Sequence, residues 1–272
     1  MKPAIRRLRT LACLLALGML LSCNGSVLYR VKTETIVIDS ISDIQPLRDS
    51  LVKPVLYTNV SGLERLSLPQ AKQQFIFAIL PSILVAKHEA ENRRRKIRRL
   101  LQNPDWTSND SVFIANMKAI YREKDVKKLS TKIVTIPNSV ILAQAAIETG
   151  WGQSRFFVKA SNLFGIWSYD ETESRIEAGS RKETKIFVRS YDNMSQSISD
   201  YLEVLSRHRA YGSLRKAQLT TKDPYRLVDH LKNYSERRKW YVRQLKQVIR
   251  QNNLTQYDAY RLDPQYFSSS IF

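Results

Sequence analysis

Glu148 is the residue in this sequence whose position most favours chemistry, because it ends an apolar helical pattern and a Gly-Trp-Gly sequence follows it. Ile141, Ala145 and Glu148 are spaced i, i+4 and i+7, which places the carboxyl on the same helical stripe as its apolar neighbours. A carboxyl there is partly removed from water, which raises its pKa and keeps it protonated near neutral pH. Such a group suits a general acid that cleaves a glycosidic bond. The alternative is a solvent-facing glutamate that only ends a turn.

Metal and cofactor chemistry are disfavoured by composition. The three histidines, His88, His208 and His230, have no ligand spacing, and the pair His88-Glu89 lacks a second histidine because position 92 is Asn. The sequence also has no glycine-rich phosphate loop. We therefore expect no metal and no cofactor, which leaves carboxylate chemistry.

Two motifs carry a resemblance to a known family. Gln-Ala-Ala-Ile-Glu-Thr-Gly-Trp-Gly-Gln-Ser-Arg-Phe at 144–156 and Asn-Leu-Phe-Gly-Ile-Trp at 162–167 resemble the signature of the bacterial glucosaminidase family. These proteins are peptidoglycan hydrolases of glycoside hydrolase family 73, and the similarity is greatest to the Bax-like branch. Further similar segments at 79–87 and 234–252 extend the resemblance over roughly residues 70 to 254.

The resemblance implies a fold and a catalytic residue. The expected fold is mainly α (α+β), a lysozyme-like helical domain with a small β-hairpin lobe facing the helices across a groove. In the family, the glutamate of the Ala-x-Glu-Ser/Thr-Gly-Trp-Gly sequence is the catalytic acid, and Glu148 occupies that position.

Four residues are predicted to bind substrate. Trp151 and Trp167 are candidates to stack on sugar faces, although plain packing explains them equally well. Tyr234 matches a tyrosine of the family's closing motif and would position the N-acetyl group of the substrate. Asn162 is the fourth candidate, with the alternative that its amide satisfies backbone groups in the turn before Leu163.

A second carboxylate is expected on the hairpin lobe, where members of the family place another glutamate. The candidates in that stretch are Glu171, Glu173, Glu177 and Glu183. Glu183 ranks first because its distance from Phe187 resembles the Bax-like branch. Glu177 ranks second, because residues 177–180 are predicted to form a turn before a strand at 185–189. The alternative is that both are surface charges that pair with neighbouring basic residues.

The first 23 residues are typical of an export signal. Basic residues at 2–9 precede an apolar stretch, Leu11 to Leu21, that is too short to span a bilayer comfortably. Leu20-Leu-Ser-Cys23 resembles the bacterial lipobox, in which the cysteine carries lipid; an ordinary cleaved signal or an anchor helix is the alternative. Asn24 is not the aspartate that favours inner-membrane retention, so outer-membrane anchoring is expected if the host has that membrane.

The predicted organisation is a lipoprotein signal peptide at 1–22, a tether at 23–68, a glucosaminidase catalytic domain at 69–254 and a tail at 255–272. The last helix is expected at 236–252, with an apolar face made of Trp240, Val242, Leu245, Val248 and Ile249. With 43% hydrophobic residues, the chain is well able to bury a core.

The chain is strongly basic, with a formal net charge of +19. Four of its 44 basic residues lie in the predicted signal peptide, so the mature chain keeps a charge of +15. A cationic protein suits a polymer that bears carboxylates, whereas export argues against nucleic acid as a partner.

From these observations we expect a monomeric, lipid-anchored enzyme of the cell envelope that acts on peptidoglycan glycan strands. The expected reaction is endo-β-N-acetylglucosaminidase cleavage after GlcNAc. The alternatives are muramidase-type cleavage of the other glycan bond and a non-catalytic wall-binding lipoprotein.

Overall fold

A computed structural model describes residues 28–103, 105–181 and 184–270. Its helices are α1 Leu68–Gln102, α2 Ser108–Tyr121, α3 Val126–Lys132, α4 Asn138–Thr149, α5 Arg155–Ala160, α6 Met194–Arg207, α7 Gly212–Ala217, α8 Pro224–Val228 and α9 Lys239–Gln251. Its strands are β1 Leu28–Val31, β2 Glu34–Val37, β3 Leu51–Val52, β4 Val55–Thr58, β5 Trp167–Ser168, β6 Arg175–Arg181, β7 Thr184–Arg189, β8 Arg261–Leu262 and β9 Phe267–Ser270. The predicted class, mainly α with a small hairpin lobe, is confirmed.

Helix α1 is 35 residues long and is the central support of the domain. It begins in a capping box, in which the Gln70 side chain accepts from the backbone N–H of Ser67. The N-terminal part is apolar and buried from Phe75 to Ala86, and it packs against α4 and α6. Pro81 lies inside the helix without ending it, because the surrounding residues are fully buried and hold the helix in place.

Helix α4 lies in the middle of the core, and nearly every residue from Asn138 to Ala146 is buried. Its N-terminal N–H groups need partners from outside the helix. Asp258, on the 3₁₀ turn Leu254–Ala259, accepts from the backbone N–H of Ser139 at 2.7 Å and from its hydroxyl at 2.8 Å. The start of α4 is therefore capped by the C-terminal part of the chain.

Residues 28–66, expected to belong to a tether, instead pack against the core. Parallel strands β2 and β4 bury Val55 and Tyr57, and Leu63 is fully buried. The segment also pairs with the predicted tail: β1 is antiparallel to β9, and β3 is parallel to β8. Packing against the helices removes these apolar side chains from water, whereas a solvated linker would leave them exposed. The predicted signal peptide and Cys23 lie outside the described residues.

The hairpin lobe is a three-stranded sheet in the order β5-β7-β6. The strand predicted at 185–189 is confirmed as β7, but the turn predicted at Glu177–Ser180 is wrong, because these residues lie within β6. The register between β6 and β7 shifts between Glu177 and Gly179. Ala178, between them, has no partner in β7, so this stretch forms a bulge within a strand rather than a turn.

Across the described ranges, none of the helices combines the length and the apolar character needed to cross a membrane.

Candidate active site

Glu148 lies in the last turn of α4, and two glycines fix the direction in which the chain leaves that helix. Gly150 ends the helix with φ of 58°, in the left-handed region. Gly152 has φ of +85°, and a Cβ there would lie 2.6 Å from Leu63 Cδ1. Its backbone N–H donates to the Thr149 hydroxyl at 2.9 Å. The glycines therefore let the chain turn tightly against the core and leave Glu148 at the surface.

The Glu148 side chain faces a groove of about 440 Å³ between the end of α4 and the hairpin lobe. The lining residues are Glu148, Ser154, Phe156, Asn162, Phe164, Gly165, Trp167, Ala178, Gly179, Ile186 and Val188. Within the described part of the chain, Glu148 is the sole carboxylate of this lining. The groove thus combines one acid with a mostly apolar wall, the environment expected around a general acid.

Tyr241 of α9 holds the Glu148 carboxylate in position. Its hydroxyl donates to Glu148 Oε1 at 2.8 Å and accepts from the Gln144 side-chain amide at 3.1 Å. The Tyr201 hydroxyl of α6 in turn donates to Gln144 Oε1. Because Gln144 is completely buried, both of these hydrogen bonds compensate its removal from water. Three helices therefore fix the orientation of one carboxylate.

The surroundings raise the pKa of Glu148 above its ordinary value. Desolvation in the groove is the main cause, because removing water disfavours the charged carboxylate. The hydrogen bond from Tyr241 acts in the opposite direction, since it stabilises the ionised form. The pKa of Glu148 is thus raised by desolvation, as expected of a general acid. Its side chain nevertheless remains accessible from the groove.

The two predicted stacking tryptophans lie in different environments. Trp167 lines the groove with 48% of its surface exposed, and the ring of Tyr169, 84% exposed, lies 6.1 Å away between centroids. Trp151 packs edge-on against Phe75 of α1 at 5.7 Å and is absent from the described lining of the groove. The structure therefore places Trp167 with Glu148 and assigns Trp151 to packing.

Asn162 and Tyr234 lie close to the groove but make structural contacts. The Asn162 amide is 1% exposed and bonds only backbone groups: it donates to the carbonyls of Ile166 and Arg189 and accepts from two N–H groups of its own turn. The predicted substrate contact of Asn162 therefore needs correction, because its hydrogen-bonding capacity is already used. Tyr234 stacks on Tyr241 with ring centroids 5.7 Å apart, which supports the tyrosine that holds Glu148.

The candidate second carboxylates do not join Glu148 in the described structure. Glu177 lies opposite Phe187 in the register, and its carboxylate pairs with Lys185 at 3.0 Å. Since Ile186 and Val188 line the groove from the other face of β7, the Glu177 side chain lies on the outer face of the hairpin. Glu183 lies outside the described residues.

The other two acidic candidates of the lobe are held in ion pairs. Glu173 binds Arg189 and accepts from the Ser168 hydroxyl at 2.9 Å. Glu171, almost fully exposed, pairs with Arg175 at 3.2 Å. Across residues 28–103, 105–181 and 184–270, no group of three or more His, Cys, Asp or Glu residues is placed to hold a metal ion.

Tyr241 was not among the site residues predicted from the sequence, and Trp240 was predicted to lie on the buried face of the last helix. In α9 the buried residues include Tyr241, Leu245 and Ile249, whereas Trp240 is 45% exposed. The spacing i, i+4 and i+8 of the three buried residues was the signal that identifies this face. Gln144, although part of the motif, gave no signal of its own.

The chain is similar to known proteins over part of its length. Residues 124–254 match the glucosaminidase family, described as mannosyl-glycoprotein endo-beta-N-acetylglucosaminidase. The protein named peptidoglycan hydrolase FlgJ of Salmonella typhimurium is 31% identical over 102 residues, which cover 33% of this chain and 32% of FlgJ. The protein named bax of Escherichia coli K12 is 26% identical over 187 residues, covering 62% of this chain and 65% of bax. The chain thus spans about a third of the length of FlgJ.

Among solved structures, the catalytic domain of the autolysin Auto from Listeria monocytogenes is similar with a TM-score of 0.44 and 20% sequence identity. The matched region covers 73% of this chain and 99% of that domain.

Replacing Tyr241 with Phe tests the control of the Glu148 pKa. Removing the hydroxyl removes the donor that stabilises the ionised carboxylate, so the pKa of Glu148 should rise further above its ordinary value. An NMR titration of the Glu148 carboxyl carbon measures this. Tyr234→Phe is the matched control, because the Tyr234 hydroxyl contacts the Phe164 carbonyl rather than Glu148. An unchanged or lowered pKa in the Tyr241 variant would contradict the geometry.

Proposed function

We propose that the chain is a peptidoglycan hydrolase of the glucosaminidase family, whose model matches residues 124–254. The proposed reaction is endo-β-N-acetylglucosaminidase cleavage of the glycan strand after GlcNAc. The observation that carries the proposal is the Glu148 carboxyl, which faces a groove, has a raised pKa and lies in a fixed hydrogen-bond network.

In this proposal Glu148 donates a proton to the oxygen of the leaving sugar. A carboxyl with a raised pKa keeps a larger protonated fraction at near-neutral pH than an ordinary glutamate does. The proton leaves with the sugar while positive charge develops at the ring carbon, and Tyr241 then stabilises the carboxylate that forms. Proton donation of this kind typically contributes about a hundred- to ten-thousandfold to the rate.

The groove supplies a surface suited to sugars. Trp167 presents an exposed ring in the groove that contains Glu148, and aromatic faces pack well on the apolar faces of pyranose rings. Trp167 of β5 pairs with Val188 of β7, so the indole and Val188 lie side by side on one face of the hairpin sheet. The glycan strand would therefore lie across this face of the sheet, with its scissile bond at the end of α4.

For the second catalytic group we propose Glu183, which lies in the sequence between β6 and β7. An inverting enzyme needs its carboxyl groups about 6.5–9.5 Å apart, and a retaining enzyme about 5–5.5 Å. The alternative is that the N-acetyl group of the substrate assists the reaction. Glu177 is disfavoured for this role, because its carboxylate lies on the outer face of the hairpin.

Glu183→Gln distinguishes these possibilities. If Glu183 activates water or stabilises the positive centre, its substitution should lower the rate of peptidoglycan hydrolysis about a hundredfold or more. Glu177→Gln, a change of the same chemistry on the outer face, is the matched control and should retain most activity. A fully active Glu183 variant would exclude this residue and favour assistance by the N-acetyl group.

The identity of the cleaved bond is tested by mass spectrometry of fragments released from purified peptidoglycan. The proposal predicts fragments with a reducing-end GlcNAc. A reducing-end MurNAc would support the muramidase alternative, and a chain that binds peptidoglycan but releases no fragments would be a non-catalytic wall-binding protein. Incubation without protein controls for spontaneous release.

We further propose that the protein is anchored to the cell envelope through lipid on Cys23, facing the periplasm from the outer membrane if the host has one. The support is the sequence Leu20-Leu-Ser-Cys23 after a basic and apolar leader. Only residues 24–27 separate Cys23 from β1, and four residues span at most about 14 Å. The anchor would thus hold the folded domain near the bilayer.

Cys23→Ala tests the anchor. Without the thiol no lipid is attached, so the variant should accumulate as unprocessed precursor or as protein released from the membrane fraction. Labelling with a radioactive fatty acid and membrane fractionation measure this. Cys13→Ala, a change within the leader, is the control and should be lipidated normally. Lipid on the Cys23 variant would show that the anchor lies elsewhere.

A further inference from the structure

A second groove, larger than the one at Glu148, lies where α1, α6 and β1 meet. Its volume is about 700 Å³, within the range of pockets that bind small molecules and short polymer segments. Tyr29 of β1, Glu89 and Asn92 of α1, and Ser199 of α6 contribute to its lining. None of the residues described there takes part in the hydrogen-bond network of Glu148.

The base of the hairpin separates the two grooves. Val188 of β7 lines the groove at Glu148, whereas its neighbour Arg189 lines the second groove. Consecutive residues of a strand point to opposite faces, so the same strand forms a wall of both grooves. A polymer bound in one groove is therefore separated from the other groove only by β7.

Four charged side chains of the second groove form two ion pairs with each other. Arg93 pairs with Glu203 at 2.6 Å, and Arg189 pairs with Asp200 at 2.6 Å. The Tyr191 hydroxyl also donates to Asp200 at 2.9 Å. A strongly charged ligand would have to compete with these ion pairs, which are partly shielded from water. The groove therefore suits an uncharged polar ligand better than an anionic one, which would have to compete for the paired arginines.

Several polar groups of the groove have no partner among the described residues. Asn92 Oδ1 is buried without a hydrogen bond, and its orientation is fixed because the amide nitrogen donates to the Tyr29 carbonyl at 2.7 Å. Within the described ranges, the Glu89 carboxylate and the Ser199 hydroxyl make no hydrogen bond or ion pair. The Glu89 carboxylate and the Ser199 hydroxyl thus offer an acceptor and a hydroxyl to a ligand that both donates and accepts, whereas Asn92 Oδ1 has almost no exposed surface.

An aromatic ring lies at the same groove. Tyr29 is 38% exposed, and its ring stacks on Phe267 of β9 with centroids 6.0 Å apart. Phe267 also stacks on His88 at 5.0 Å, which ties the ring pair to α1. A supported, partly exposed ring beside hydrogen-bonding side chains is suited to a sugar, which has an apolar face and hydroxyl groups at its edge.

We propose that this second groove binds N-acetylated glycan at a distance from the reacting bond. The identity of the polymer rests on the proposed function, whereas the groove itself does not. Occupation of both grooves by one strand or by neighbouring strands would keep the enzyme on its insoluble substrate, because two linked contacts strengthen binding by raising the effective concentration. Hydrolysis of short soluble glycans would not depend on it.

A variant that fills the groove tests this proposal. Ser199→Trp places an indole in the groove, and Ser213→Trp, on an exposed position of α7 that lines neither groove, is the matched control. In a Glu148→Gln background, the fraction of protein that pellets with purified peptidoglycan should fall at least threefold for Ser199→Trp only. Equal pelleting of the two folded variants would overturn the proposal.

Two further measurements keep the proposal testable if Ser199→Trp fails to fold. Glu89→Ala removes an exposed carboxylate without a described partner and should weaken pelleting in the same direction. An NMR titration of the Glu148→Gln protein with chitotetraose, a soluble GlcNAc oligomer, should shift the amide signals of Tyr29, Asn92 and Ser199. Shifts confined to the Glu148 groove would overturn the proposal.

These readouts separate the proposal from the function on which it rests. Pelleting and titration measure binding and require no catalysis. A wild-type protein that releases no fragments would therefore contradict the proposed hydrolysis, and the two binding assays would still test the second groove. With an active wild type, Ser199→Trp should slow the release of fragments from insoluble peptidoglycan but leave the cleavage of short soluble strands unchanged. Equal slowing on both substrates would contradict a distant binding role.

Discussion

The hydrogen bond between Tyr241 and Glu148 joins the end of α4 to α9, and the arrangement of the site depends on it. A carboxyl at the edge of a water-poor groove is free to rotate unless something holds it. Here Tyr241 holds the carboxylate, Gln144 holds Tyr241, and Tyr201 holds Gln144. Gln144, Tyr201 and Tyr241 are buried and each has a partner, which is the condition under which buried polar groups add rigidity rather than a penalty.

The same constraint explains why the ends of the chain belong to the domain. Helix α4 positions Glu148 only if its own start is fixed, and Asp258 fixes it through two hydrogen bonds to Ser139. The segment that contains Asp258 is held by β8, which pairs with β3, and β9 pairs with β1. The sequence regions on both sides of the family match therefore contribute to the orientation of the proposed acid.

Glu148 and its helix were predictable because the signal is local: an apolar pattern with period 3.6 ends at a carboxylate and two glycines. Other features depend on contacts between distant residues. Tyr241 is 93 residues from Glu148 in the sequence, with α5 to α8 between them, and the pairing of β1 with β9 joins opposite ends of the described chain. Neither pairing has a periodicity that a single sequence reveals.

The hairpin illustrates a different limit. Ala-Gly-Ser after Glu177 is typical of a turn, yet in the structure these residues continue a strand that contains a bulge at Ala178. Whether a glutamate of β6 faces the groove depends on that bulge, since a shift of one residue exchanges the two faces of a strand. The sequence therefore shows which acidic residues belong to the lobe, but it does not show which side of the sheet each one faces.

Glu148→Gln is the most direct test of the claim that this carboxyl acts as the general acid. The substitution keeps the shape of the side chain and removes its proton, so the rate of fragment release from purified peptidoglycan should fall by at least about two orders of magnitude. The melting temperature should stay unchanged, and Glu171→Gln, at an exposed carboxylate of the lobe, should retain most activity. A folded Glu148→Gln protein with near wild-type activity would contradict the account.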